Sequence, residues 1–157
     1  MAIRKVLLIG DETLRKVSKP VDKFDDKLAE LLQDMYETLI KENGAGLSAV
    51  QVGILKRVFI MNLDSGLVEF VNPEIIKKSD KTCIALEGCL SVPEKSGRVE
   101  RPVSVTVKFQ DRKGNFHTRT FTDYEAKCVC HESDHLDGIL YVDKVLPSKP
   151  KKYKGVK

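Results

Sequence analysis

The chain has 157 residues, 41% of them hydrophobic, enough to build one core without disulfide or metal support. A net charge of +4 is too modest to assign a nucleic-acid partner, and the excess gathers in KPKKYKGVK, residues 149–157, read as a short solvated tail on a single domain spanning 1–157. No run approaches the roughly 20 apolar residues of a membrane-spanning helix, and the opening MAIRKVLLIGDETLRK breaks into charge too early for a signal-peptide core. The sequence therefore implies a protein that stays in the cytoplasm, with no membrane partner, whose four cysteines serve as thiols or metal ligands.

In chain order, DKLAELLQDMYETLIKE (26–42) carries Leu28, Leu31, Leu32, Met35, Leu39 and Ile40 at the spacing of an amphipathic helix. Asp25 or Asp26 can cap its start, and Asn43 with Gly44 can end it. KRVFIMNLD (56–64) and LVEFVNPEI (67–75), separated by Ser-Gly, predict a hairpin. VSVTVKFQD (103–111) and FHTRTF (116–121), joined through RKGN, predict a second. Thr122 and Glu125 have capping-box spacing and announce a helix to about Leu136, ended by Gly138. Strands with a few segregated helices make an α+β domain of antiparallel strands around that last helix.

The last helix carries HESDH, residues 131–135. Residues four apart share a helix face, so the imidazoles of His131 and His135 can reach one ion, while Glu132 sits beside it, able to take and return a proton. A hydrolytic site needs a third protein ligand and an open position. His117 is a weak choice, on a strand where alternation sets it opposite Phe116 and Phe121 or exposes it. Cys89 is the other choice, in the Gly-containing segment EGCLSVP (87–93). Any one cysteine, taken alone, reads as a buried structural thiol.

GAGLSAVQVG (44–53), EGCLS (87–91) and HESDH together resemble the three signature motifs of the peptide deformylases, in the same order and at similar separations. DETLRKVSKPV near the start and FVNPEI before the second motif extend the likeness over nearly the whole chain. The resemblance implies a deformylase-like fold and a hydrolase that removes the formyl group from the N-terminal formylmethionine of new polypeptides. It implies Cys89, His131 and His135 as ligands of one divalent ion, ferrous iron by preference, with zinc, nickel or cobalt able to replace it.

Further roles follow from the same likeness. Glu132 corresponds to the acid/base residue, and Gln51 with the backbone N–H of Leu90 to the donors that polarise the formyl oxygen. Segments around Gly44, Gly46 and Gly88 flank the peptide as neighbouring strands would. Ala45, Tyr124 and Cys128 fall at methionine-pocket positions, and Arg101 with Asp134 at a pair bracing the ligand helix. N-formylmethionyl nascent chains are the implied partners, with transient ribosome association a further one, although the basic stretch stands where such a role would use a longer terminal helix. The first motif has Ser48 and Ala49 where two alanines are common, and Cys130 replaces the glutamine that usually precedes the third. Two rival readings of the residues are a metalloprotease cleaving internal peptide bonds and a non-catalytic module with a closed zinc site.

Overall fold

The computed structural model describes residues 2–147, and the basic stretch 149–157 lies outside the described residues. Helix α1 spans Asp26–Glu42. It starts where the Asp25 carboxylate accepts the Leu28 N–H at 3.1 Å, and stops where Asn43 turns left-handed at φ 55°. Its buried stripe is Leu28, Leu31, Leu32, Met35 and Leu39; Ile40, expected in that stripe, is 49% exposed because the stripe drifts off the core in the last turn.

Seven strands follow: β1 (Gly46–Ser48), β2 (Val58–Leu63), β3 (Gly66–Lys78), β4 (Thr82–Cys89), β5 (Val92–Pro102), β6 (Ser104–Gln110) and β7 (Phe116–Thr122). An antiparallel sheet has the order β1-β2-β3-β6-β7, and β4 with β5 forms a separate antiparallel pair inserted between β3 and β6. Both expected hairpins, β2–β3 and β6–β7, are present. Helix α2, Asp123–Leu136, closes the framework. Antiparallel sheets with two helices make the molecule α+β, the class that the strand and helix patterns implied.

Strand β2 explains the layering. Phe59 and Met61 face a core shared with Phe70, Phe109, Phe121 and the α2 residues Ala126, Val129 and Leu136. Val58 and Ile60 face the other core, against Leu28, Leu32, Met35 and Leu39 of α1. Both faces are thus dry, and the strand is a nearly continuous apolar run. Helix α2 is packed on one side by this sheet and on another by β5, so residues along it face both.

The capping box expected at Thr122 is not formed: the Thr122 side chain makes no cap bond. Thr122 is still paired with Ser104 in the β6–β7 ladder, and Asp123, at φ 54° with its N–H bonded to Val103 O, turns the chain directly from strand into helix.

Candidate metal centre

His131 and His135 lie one turn apart on α2, buried, with ring centroids 5.0 Å apart. Cys89 ends β4, where the pairing with β5 shifts register between Glu87 and Cys89 and re-aims the chain. Its sulfur comes within 3.4 Å of His135 Nε2, and the ligating atoms of Cys89, His131 and His135 all lie within 4.8 Å of one another. Donors about 2.0–2.3 Å from a tetrahedral ion stand roughly 3.5 Å apart, so the trio fits such an ion. Cys89 reaches a metal as thiolate, and His135 Nδ1 is buried without a protein hydrogen bond, which leaves Nε2 as the atom this ring directs at the cluster.

Glu87 decides the chemistry of the other ring. Its Oε1 is 3.0 Å from His131 Nδ1, and Arg101 grips both its oxygens, Nε to Oε2 at 2.8 Å and Nη2 to Oε1 at 2.9 Å. Burial alone would raise the Glu87 carboxyl, yet the hydrogen bonds from Arg101 and His131 outweigh it and hold the group at about 2. An ionised carboxylate only accepts, so His131 Nδ1 carries the proton and Nε2 keeps its lone pair for an ion. In the bare protein His131 is held protonated to about 10: burial opposes this, but the Cys89 and Glu87 contacts prevail. His135 moves the opposite way, lowered by burial and by the nearby His131. A cation seated among the three would replace that proton.

Arg101 also reaches Asp134 Oδ2 through Nη1 at 2.7 Å, and Lys144 joins Asp134 at 3.1 Å. Arg101 is 5% exposed, so this brace between β5 and α2 is not a surface ion pair.

Glu132 is fully buried beside the cluster, and burial pushes its carboxyl up against the opposing pull of His131 and Ser48. The Ser48 hydroxyl is 2.9 Å from Glu132 Oε1 and equally close to its backbone oxygen. Gly46 makes room: a Cβ there would sit 2.7 Å from Glu132 Oε2. Gln51 lies in a 3-10 turn, Ala49–Val52, rather than at a strand end; its Oε1 accepts the Ser48 N–H at 2.9 Å and its Nε2 donates to Ser91 Oγ at 3.0 Å, 3.5 Å from the Cys89 sulfur. The N-terminal segment straps these pieces together through Leu7 N–H to Gln51 O (2.7 Å) and Ile9 N–H to Ser91 O (2.8 Å).

Beside the cluster opens a cavity of about 470 Å³ lined by Gly44, Ala45, Gly46, Gly88, Leu90, Tyr124 and Cys128 together with Gln51, Cys89, His131 and Glu132. Every residue expected at the site is thus either on the cavity or, for His135, Arg101 and Asp134, directly behind it. His117 is elsewhere: it is exposed, as one of the two expectations had it, though it shares the Phe121 side of β7 rather than opposing it; it pairs with Phe109, stacks on that ring at 5.5 Å and bonds Asp111 at 2.9 Å. Sequence reasoning passed over the roles of Glu87, Ser48 and Ser91. All three stand inside the quoted motifs, which was the available signal.

A Cys-His-His cluster of two buried imidazoles and a half-buried thiol, with an adjacent carboxylate, set in antiparallel α+β layers and open to a cleft, defines the class as a metallohydrolase-like α+β protein. The polypeptide deformylase family model matches residues 3–151, and the chain belongs to that family. It is 49% identical to a peptide deformylase of Finegoldia magna over 148 residues, covering 93% of this chain and 91% of that one. The crystal structure of a peptide deformylase from Thermotoga maritima superposes with a TM-score of 0.91 at 40% identity, over 92% of this chain and 99% of the other. A class I type b peptide deformylase of Acinetobacter baumannii, in a Met-Ala-Ser-bound crystal, matches at TM-score 0.87 and 36% identity, over 90% and 99%.

Proposed function

We infer that this protein is a peptide deformylase, hydrolysing the formamide bond at the N-terminal formylmethionine of newly made polypeptides. The observation that carries the reading is the meeting of Cys89, His131 and His135 beside buried Glu132, with Cys89, His131 and Glu132 on the cavity wall. Cys89, His131 and His135 would hold one divalent ion, which supplies Lewis-acid polarisation and acidifies bound water toward neutrality. Ferrous iron is the proposed native ion, with zinc, nickel and cobalt as substitutes, since this donor set accepts all of them.

The chain's own groups do the rest. Glu132, made a better base by burial, takes a proton at its carboxylate and returns it to the departing amine nitrogen. Gln51 Nε2, fixed through Ser48 and Ser91, and the Leu90 N–H hold the formyl oxygen as charge gathers on it. Glu87 and Arg101 keep His131 in the tautomer that presents Nε2. Backbone along Gly44–Gly46 and Gly88 pairs with the peptide whatever its sequence, and Ala45, Tyr124 and Cys128 surround the methionine side chain. The Met-Ala-Ser ligand of the Acinetobacter relative, a peptide opening on methionine, supports this placement. Such a substrate places the protein in the cytoplasm of a bacterial-type cell, in transient contact with ribosomes that deliver it.

The test is one anaerobic preparation assayed for metal content and for formate release from an N-formylmethionyl peptide, beside Glu132→Gln. The wild type should release formate without cutting blocked internal peptides, most actively with iron. Glu132→Gln should keep the ion and lose turnover by roughly 10²–10⁴-fold. Internal cleavage would favour the protease reading, and four protein ligands with a dispensable Glu132 the structural-zinc reading.

A further inference from the structure

The cleft between β4 and α2 does not end at the metal centre. Along β4, alternate residues point at α2: Glu87 and Cys89 line the cavity just described, and Cys83 and Ala85 line a second one of about 210 Å³. Along α2, Cys128 and His131 face the first chamber and Asp123 the second, while Tyr124 and Lys127 line both. The two chambers are therefore successive stretches of one groove. What interrupts it is Lys127, whose Nζ crosses from helix to strand to donate to Leu86 O at 3.0 Å and lies 4.9 Å above the Tyr124 ring. The lysine is held from both sides, by a backbone carbonyl and by an aromatic face.

We propose that the Lys127 bridge, seated on Tyr124, sets the longest side chain admitted at the substrate's first residue, and that the chamber behind it is an extension of the site suited to linear apolar chains.

This rests on the deformylase reading and on the peptide lying near Gly88. The four-atom side chain of methionine is accommodated in the first chamber, and Lys127 and Tyr124, which line both chambers, stand where the first passes into the second. A longer chain meets the ammonium and the ring. Beyond them Cys83, Ala85, Pro102 and Val103 line the wall together with Arg101, whose guanidinium is already taken up by Glu87 and Asp134, so the surface left to a ligand is mainly apolar and suited to methylenes.

The test compares kcat/KM on two N-formyl peptides identical except for the first residue, methionine in one and S-hexylhomocysteine in the other. Wild type should strongly prefer methionine. Lys127→Ala, and as a second variant Tyr124→Ala, should raise the hexyl-to-methyl ratio by about tenfold or more, the discrimination a few methylenes give in an apolar pocket. Lys127→Arg, which can still span the groove, should stay near the wild-type ratio. A ratio unchanged in both alanine variants, a wild type that accepts both peptides equally, or an arginine variant shifted as far as alanine would overturn the proposal. Absence of formate release from the methionine peptide in wild type would instead overturn the deformylase reading, so the two failures are told apart.

Discussion

Replacing Arg101 with methionine isolates the brace behind the metal ligands. The guanidinium makes three charge-assisted bonds, two to Glu87 and one to Asp134, from a position 5% exposed. Methionine fills much of the volume but leaves Glu87, itself 4% exposed, with His131 as its remaining cationic partner. Breaking a buried pair in this way costs on the order of 3–5 kcal/mol. The displacement of Glu87 is of the same order: it sits at about 2 against an ordinary 4.5, about 3 kcal/mol at neutral pH, the net of burial and of the opposing Arg101 and His131 acting together. The sign follows from the depression: the contribution is complete above about 4.5, where the unfolded chain is ionised, and fades as pH falls toward 2. Urea unfolding of wild type and Arg101→Met at pH 7 and at pH 3 checks it. The gap should be about 3 kcal/mol at pH 7 and clearly smaller at pH 3. A gap below 1 kcal/mol at pH 7, or one that does not narrow in acid, would refute the assignment of Glu87 as an ionised group held by Arg101.

The Ser48→Ala variant removes the hydroxyl that favours ionised Glu132, so the acid limb of the kcat/KM–pH profile should move to higher pH while the alkaline limb stays. For Gly46→Ala, a Cβ 2.7 Å from Glu132 Oε2 must displace the carboxylate; activity should fall at least tenfold, read by formate release, with metal content unchanged. An ion shared by Cys89 and the two histidines ties β4 to α2, so chelation should lower the melting temperature, by about 2.7 kcal/mol of stability when free metal had been near 100 times its dissociation constant. Hydrogen exchange should then quicken around Glu87–Val92 before it does in β2.

What could be read from the sequence is what has a period or a motif. The α1 stripe and the β6–β7 alternation carry a repeat of 3.6 or 2 that burial on one face imposes, whereas β2 announced itself by an apolar run and α2 by the HESDH spacing. The β4–β5 pair carries no such signal: VPEKSGRVERP is charged, begins beside one proline and ends on another, and is exposed over most of its first half. Only the ladder sets Cys83 opposite Arg101 and Glu87 opposite Gly97, and so puts Glu87, Arg101 and Cys89 on the side of the hairpin that meets α2. The N-terminal strap was silent for another reason, since Leu7 and Ile9 act through backbone N–H groups that every non-proline residue possesses.

The same distinction separates the ligands from their supports. Two imidazoles four residues apart announce a shared face, because helix geometry fixes their relation locally. The tautomer of one of them depends on a carboxylate 44 residues away, and the charge of that carboxylate on an arginine 14 further along. Lys127 belongs to this second kind: on the sequence it is one more helical cation, and only the approach of β4 turns it into a bar across a groove. Residues that touch an ion are constrained by its geometry and so repeat a recognisable spacing, whereas residues that hold those ligands are constrained by tertiary approach. Catalysis at this site depends on both, since an imidazole in the wrong tautomer would offer the ion an N–H instead of a lone pair.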